Sequence, residues 1–275
     1  MDPRLFLNVM VSLMLIPSLI CLFLPDTIAH VYTELMFPLV LLIGAILSIK
    51  VASIYKKWLR KAFIFLSLFL FFMIFPHIEF LWGMYSSFPL LVAFMQWITY
   101  AMLVLCSFYI LRVTGVRKIS RKGWVIIAAM LFIGMIILVR YMPSVLNQQM
   151  TYAHKISLPL IYLLDIAIVI MLLPVVLLYA QQMRLEKRES ITFTAIICGI
   201  ILSLIVDYIT GILSGTSLSE MQRALHTGSP IDALYLFSYL VIAVGLYVHK
   251  KYDEWGFQMM EKALELEGGL KSNGV

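Results

Sequence analysis

Five carboxylates stand inside or at the edge of runs otherwise built from apolar residues. Asp165 interrupts PLIYLLDIAIVIMLL, Asp207 interrupts ICGIILSLIVDYITGIL, and Asp232 opens IDALYLFSYLVIAV. Glu34 and Glu79 sit near the ends of two more such runs. If these runs cross a bilayer, each ionised side chain costs about 2.5–3.5 kcal/mol at a helix centre, so such groups mark sites that hold an ion, pass a proton or receive the polar part of a ligand. Asp165, Asp207 and Asp232 are therefore the candidate ligand-binding acids. Asp232 also has a purely structural reading. In Ser229-Pro230-Ile231-Asp232 it lies in the first turn of a helix, at the positive end of the dipole.

The histidines add two further kinds of chemistry. His30 and Glu34 are spaced i, i+4, and His77 precedes Glu79 by two residues, so each pair is a candidate for one metal ion; no HExxH, HxxxH or paired-cysteine pattern accompanies them, and the metal question stays open. His30, His77, His154 and His226 fall on the same side of the topology derived below as the five acids. Together they could titrate with external pH. Other chemistry lacks its signature. There is no GxGD pair, no Asp-rich prenyltransferase motif and no GxxxxGK[ST] or Gly-rich dinucleotide loop. Ser214-Gly215 has no suitably placed histidine, and no lysine in the last two apolar runs offers a retinal Schiff base. No catalytic residue and no cofactor is expected.

The elements that must position these groups follow from apolar length. A span needs about 20 mainly apolar residues, which predicts eight helices over residues 5–24, 31–55, 62–80, 89–111, 124–141, 157–180, 191–213 and 231–248. Trp82, Tyr85 and Phe88 read as an interfacial aromatic belt. Pro17, Pro38, Pro159 and Pro174 fall within spans, where membrane helices tolerate kinks. The first run is expected to be a retained helix, because no small-residue cleavage site follows it.

Charge placement gives an independent topology. With the N-terminus inside, only Arg140, Lys155 and Arg223 of the 21 Lys and Arg fall outside; the others are Arg4, Lys50 and the clusters in KKWLRK, RVTGVRKISRK, QQMRLEKRES and from Lys250 onward. Cations flanking spans are retained on the cytoplasmic face, so both termini are expected to be cytoplasmic. The expected fold is thus an all-α polytopic bundle of about eight transmembrane helices in a cell membrane. Residues 1–250 form its one transmembrane domain, and residues 251–275 form a short cytoplasmic tail in which WGFQMMEKALELE could continue the last helix.

Composition agrees. The chain of 275 residues is 62% hydrophobic and 13% charged, against roughly 25% charged in soluble domains, with a mean hydropathy of +0.97. The net charge of +6 does not point to nucleic acid, since the cations border apolar spans where topology and anionic headgroups account for them. Cys21, Cys106 and Cys198 lie apart in apolar runs, which points to packing rather than metal or disulfide chemistry.

The segment from Leu158 to Lys250 resembles the multi-helix membrane sensor region found ahead of histidine kinase and diguanylate cyclase (GGDEF) domains. The positions that carry the likeness are Pro159, Tyr162 and Asp165; Asp207 and Tyr208; and Gly228, Asp232, Leu234, Tyr235, Ser238 and Tyr239. The resemblance implies a sensor whose ligand-binding residues include Tyr162, Tyr208 and Tyr235 beside the three aspartates. The cytoplasmic tail here is about 25 residues, where the family continues into an output domain. The expectation is therefore a sensory or regulatory membrane protein that binds a small ligand, ion or proton and signals to a separate cytoplasmic kinase or cyclase. The alternatives are a small secondary transporter using the same carboxylates, and a membrane-embedded enzyme acting on a lipid-linked substrate.

Overall fold

In a computed structural model of the protein, the described residues are 3–75, 77, 89–114, 121–146, 152–182, 188–214 and 230–272. All regular structure among them is helical. Eight helices follow in order: α1 (Pro3–Phe23), α2 (Asp26–Ile54), α3 (Lys57–Phe72), α4 (Pro89–Thr114), α5 (Arg121–Leu146), α6 (Tyr152–Gln182), α7 (Arg188–Ser214) and α8 (Pro230–Ser272). Five of them contain stretches long and apolar enough to cross a membrane: Val31–Ile54, Ala93–Thr114, Pro159–Leu178, Phe193–Thr210 and Ile231–Lys251. This marks a membrane protein. Shorter apolar stretches, Val9–Phe23 and Gly123–Ile136, occupy α1 and α5.

Two elements differ from expectation. The run KKWLRK was expected to be a loop ahead of the third helix, but Lys57 to Lys61 already form the start of α3, and its regular helix ends at Phe72. Aromatic rings hold these cations. Lys61 Nζ lies 4.9 Å from the centre of the Trp58 ring, and the Arg112 guanidinium of α4 lies 4.0 Å from the same ring. Such contacts keep cationic heads at an interface while their stems pack. The link from α2 is correspondingly tight: Tyr55 and Lys56 are extended, and Lys57 adopts φ 55°, the left-handed region that favours glycine. The second concerns the tail: of the two readings of WGFQMMEKALELE, continuation of the last helix is the one found, and α8 goes on beyond that stretch to Ser272.

Helices α2, α3, α4, α6, α7 and α8 pack in that order as a closed circuit of neighbours, with α7 against α8 the most extensive contact. α1 lies outside against α8 and α2, and α5 lies outside against α6 and α7. One buried core joins all six inner helices, including Leu41, Leu70, Leu103, Ile168, Ile200 and Leu236. The outward faces carry large apolar side chains such as Phe94, Val125, Phe132 and Val139, all more than half exposed, as lipid contact requires.

Small and hydroxylated residues set the inner packing. A Cβ added at Gly199 of α7 would come within 2.7 Å of Ile242 Cγ1 and 3.0 Å of the Ser238 carbonyl oxygen on α8, and one at Gly245 would come within 2.9 Å of Ile196 Cγ1. The two backbones approach this closely only because both positions lack side chains, the usual device of membrane helix pairs. Between α2 and α3, Ser48 donates to the Phe63 carbonyl at 2.7 Å and Ser67 to the Ala45 carbonyl at 2.8 Å.

Candidate functional site

The circuit of helices encloses a cluster of acids and tyrosines in the half of the bundle nearer the start of α8. Asp207 of α7 is its hub. Tyr100 of α4 donates to Asp207 Oδ2 at 2.8 Å, and Tyr235 of α8 donates to Oδ1 through a short hydrogen bond. Three helices are thus tied through one carboxylate. Asp165 of α6 is 2% exposed and lies within electrostatic reach of both Asp207 and Tyr100. The Tyr100 hydroxyl also approaches Asp165, but it is committed to Asp207, and neither Asp165 oxygen has a partner in hydrogen-bond geometry among the described residues. Neither acid has a Lys, Arg or His counter-ion among them.

Tyr162, also buried, faces the same two acids and meets Tyr208 edge-on, with ring centres 5.9 Å apart. Tyr208 donates to the Gly134 carbonyl of α5 at 2.7 Å, which fastens the outer helix to α7. Tyr239, one turn along α8 from Tyr235, stacks on it at 6.3 Å. Tyr239 also meets Phe37 of α2 and His77 edge-on, at 6.0 and 6.1 Å. A continuous set of rings therefore connects the acid pair to α2.

Of the acids singled out in the sequence, Asp165 and Asp207 come together, and Tyr162, Tyr208 and Tyr235 surround them. Asp232 lies within electrostatic reach of Cys21 on α1. Glu34 lies on α2, and His77 stacks on Phe37 at 4.5 Å, its Nε2 without a hydrogen-bond partner among the described residues. The side chains of His30 and His154, and residues Glu79 and His226, lie outside the described residues. Among the described residues, no three His, Cys, Asp or Glu side chains gather as a metal site.

Sequence reasoning passed over Tyr100 and Gly134, and took Tyr239 only as part of the resemblance, not as a site residue. A signal existed for the tyrosines: a phenol inside an apolar span needs a hydrogen-bond partner, and Tyr100 in WITYAML is such a residue.

Beside the acid pair, α5, α6 and α7 line a half-open cavity of about 290 Å³ whose walls include Ile127, Gly134, Asp165, Leu173, Leu204 and Tyr208. It is almost wholly apolar apart from Asp165 and Tyr208. Chemically, the arrangement offers a satisfied carboxylate, an unsatisfied one beside it and an apolar chamber alongside.

At the opposite half of the bundle, His249 of α8 is 4% exposed and its Nε2 forms a short hydrogen bond with the Tyr55 hydroxyl at the α2–α3 link. Phe63 of α3 and Phe193 of α7 pack around the imidazole. Beyond it, Glu254 pairs with Lys251 at 2.6 Å and Lys250 at 3.2 Å. The Lys251 hydrogen bond, followed by that of Lys250, holds the Glu254 carboxyl below its ordinary range.

No protein-family model, curated protein or solved structure matches this chain.

Proposed function

We propose that the protein is a sensory or regulatory component of a cell membrane, crossing it eight times with both termini cytoplasmic. Its acid–tyrosine cluster, lying toward the outer face, receives a small ligand, ion or proton. A change there passes along α8 to a cytoplasmic kinase or cyclase partner. The observation that carries this reading is that Tyr235, bonded to Asp207, and the helical extension to Ser272 belong to one unbroken helix. Tyr235 and His249 are separated by 14 residues, about 21 Å of helix, so a shift at the cluster is delivered to the Tyr55–His249 contact without an intervening joint. A ligand moves such an equilibrium only through a difference in its contacts with the two states. The single carboxylate bridging α4, α7 and α8 supplies that difference.

The test is the output of the cytoplasmic partner, recovered by crosslinking from position 253 in host membranes. Asp207→Asn is expected to change phosphotransfer or cyclase output about tenfold, within the ordinary range of allosteric coupling, while insertion is unaltered. Unchanged output overturns the proposal.

One observation favours a second reading, a small transporter. The triplets α2–α3–α4 and α6–α7–α8 occupy corresponding halves of the circuit, each preceded by an outlying helix, and paired halves are common in carriers. That reading expects Asp165- or Asp207-dependent solute accumulation in proteoliposomes.

A further inference from the structure

The unsatisfied carboxylate and the apolar chamber beside it belong together. Asp207 has both oxygens occupied by tyrosine hydroxyls. Asp165, 2% exposed, has neither occupied and forms part of the cavity wall. A buried polar group left without a partner is costly, and the described residues provide no cation for it. From Asp165 the chamber extends along α6 past Ile166, Val169 and Ile170 to Leu173. Those eight residues of helix amount to about 12 Å, the length of an extended chain of roughly ten carbons. We propose that this chamber binds a lipophilic ammonium: the cationic head sits on Asp165, and the hydrocarbon body lies between α5, α6 and α7, entered from the bilayer beside the outlying α5. Charge complementarity selects the head, and the nearly bare apolar walls select the body. A fatty acid would set a second anion against Asp165 and Asp207. An inorganic cation would leave the chamber unfilled.

This identification rests on the ligand-receiving role proposed above but is tested separately from it. The full-length chain in nanodiscs is photolabelled with a decylamine bearing a diazirine near its chain end, with the matching decanol and decanoic acid probes as controls, and labelled peptides are mapped by mass spectrometry. Saturable labelling by the amine is expected on the α5 and α6 segments that line the chamber, competed by unlabelled decylamine. Asp165→Asn, close in shape to the native residue, should lower it about tenfold, as loss of a charge-assisted contact does. Gly134→Leu should abolish it by filling the chamber. A Cβ there meets only Ile166 at 3.7 Å, so this second variant folds without a clash at the new Cβ and keeps the test valid if Asp165→Asn assembles poorly. Equal labelling by all three probes, or amine labelling indifferent to both substitutions, overturns the assignment. Partner output that still responds to Asp207→Asn while the amine fails to bind would reject the ligand class and leave the sensory reading standing. Amine binding without any response to Asp207→Asn would do the reverse.

Discussion

At the scale of single residues, the bundle depends on how Asp207 is satisfied. Its two oxygens each accept one phenolic hydroxyl from a different helix, so removing either donor leaves one acceptor short of its partner. Tyr235→Phe should destabilise the folded bundle by about 1–3 kcal/mol, the cost of leaving a shielded acceptor unsatisfied, as read by reversible unfolding in mixed micelles. Tyr100→Phe should behave alike. Combined, the two should be non-additive, because they share one carboxylate; strict additivity would show that the bonds act independently. The acids themselves were legible in the sequence, since a carboxylate in an apolar run stands out by composition alone. Their partnership with Tyr100 was not, because nothing in a linear pattern says which faces of α4 and α7 meet across a ring of helices. Asp232 illustrates the same gap. It shares a helix and a charge with the site, and it also stands within electrostatic reach of Cys21 on α1, a proximity no linear pattern announces.

Helices as elements are positioned by close approach at a few points. The α7–α8 contact requires Gly199, where a methyl group would press on Ile242 and on the Ser238 carbonyl. Backbone cannot retreat as a side chain can. Gly199→Ala should therefore cost about 1–3 kcal/mol, the usual penalty for overpacking. At Gly44 the nearest obstacle is the far end of the Leu70 side chain at 3.2 Å, which can rotate away, and Gly44→Ala should be nearly neutral in the same unfolding assay. Equal effects at the two positions would mean that α7 and α8 are free to separate. Helix existence was readable from apolar length, but the start of α3 was not. KKWLRK has the charge of a loop, and only the Trp58 ring, flanked by Lys61 and by Arg112 from another helix, explains why it coils. By contrast, continuation of α8 through WGFQMMEKALELE was open to the sequence, and the Lys–Glu spacing at i, i+3 and i, i+4 suits it; only the stretch on to Ser272 carried no signal.

For the whole molecule, the apolar outward faces define a membrane protein, and the distribution of Lys and Arg supplies the proposed orientation. If the tail is cytoplasmic, a cysteine introduced at the exposed Asp253 in a background lacking the three native cysteines should react with a membrane-impermeant maleimide only in inverted vesicles or after permeabilisation. Labelling from outside intact cells would reverse the topology. The same architecture places the acid–tyrosine cluster and the Tyr55–His249 contact in opposite halves of one bundle, joined by α8. A spin label at Ser53, near the end of α2, and one at Asp253, just beyond the contact, report whether those halves communicate. Double electron–electron resonance in nanodiscs should show the Ser53–Asp253 distance distribution displaced by about 2 Å in Asp207→Asn, the scale of helix shifts in switching proteins. Superimposable distributions from native and substituted chains, both correctly inserted, would contradict the account.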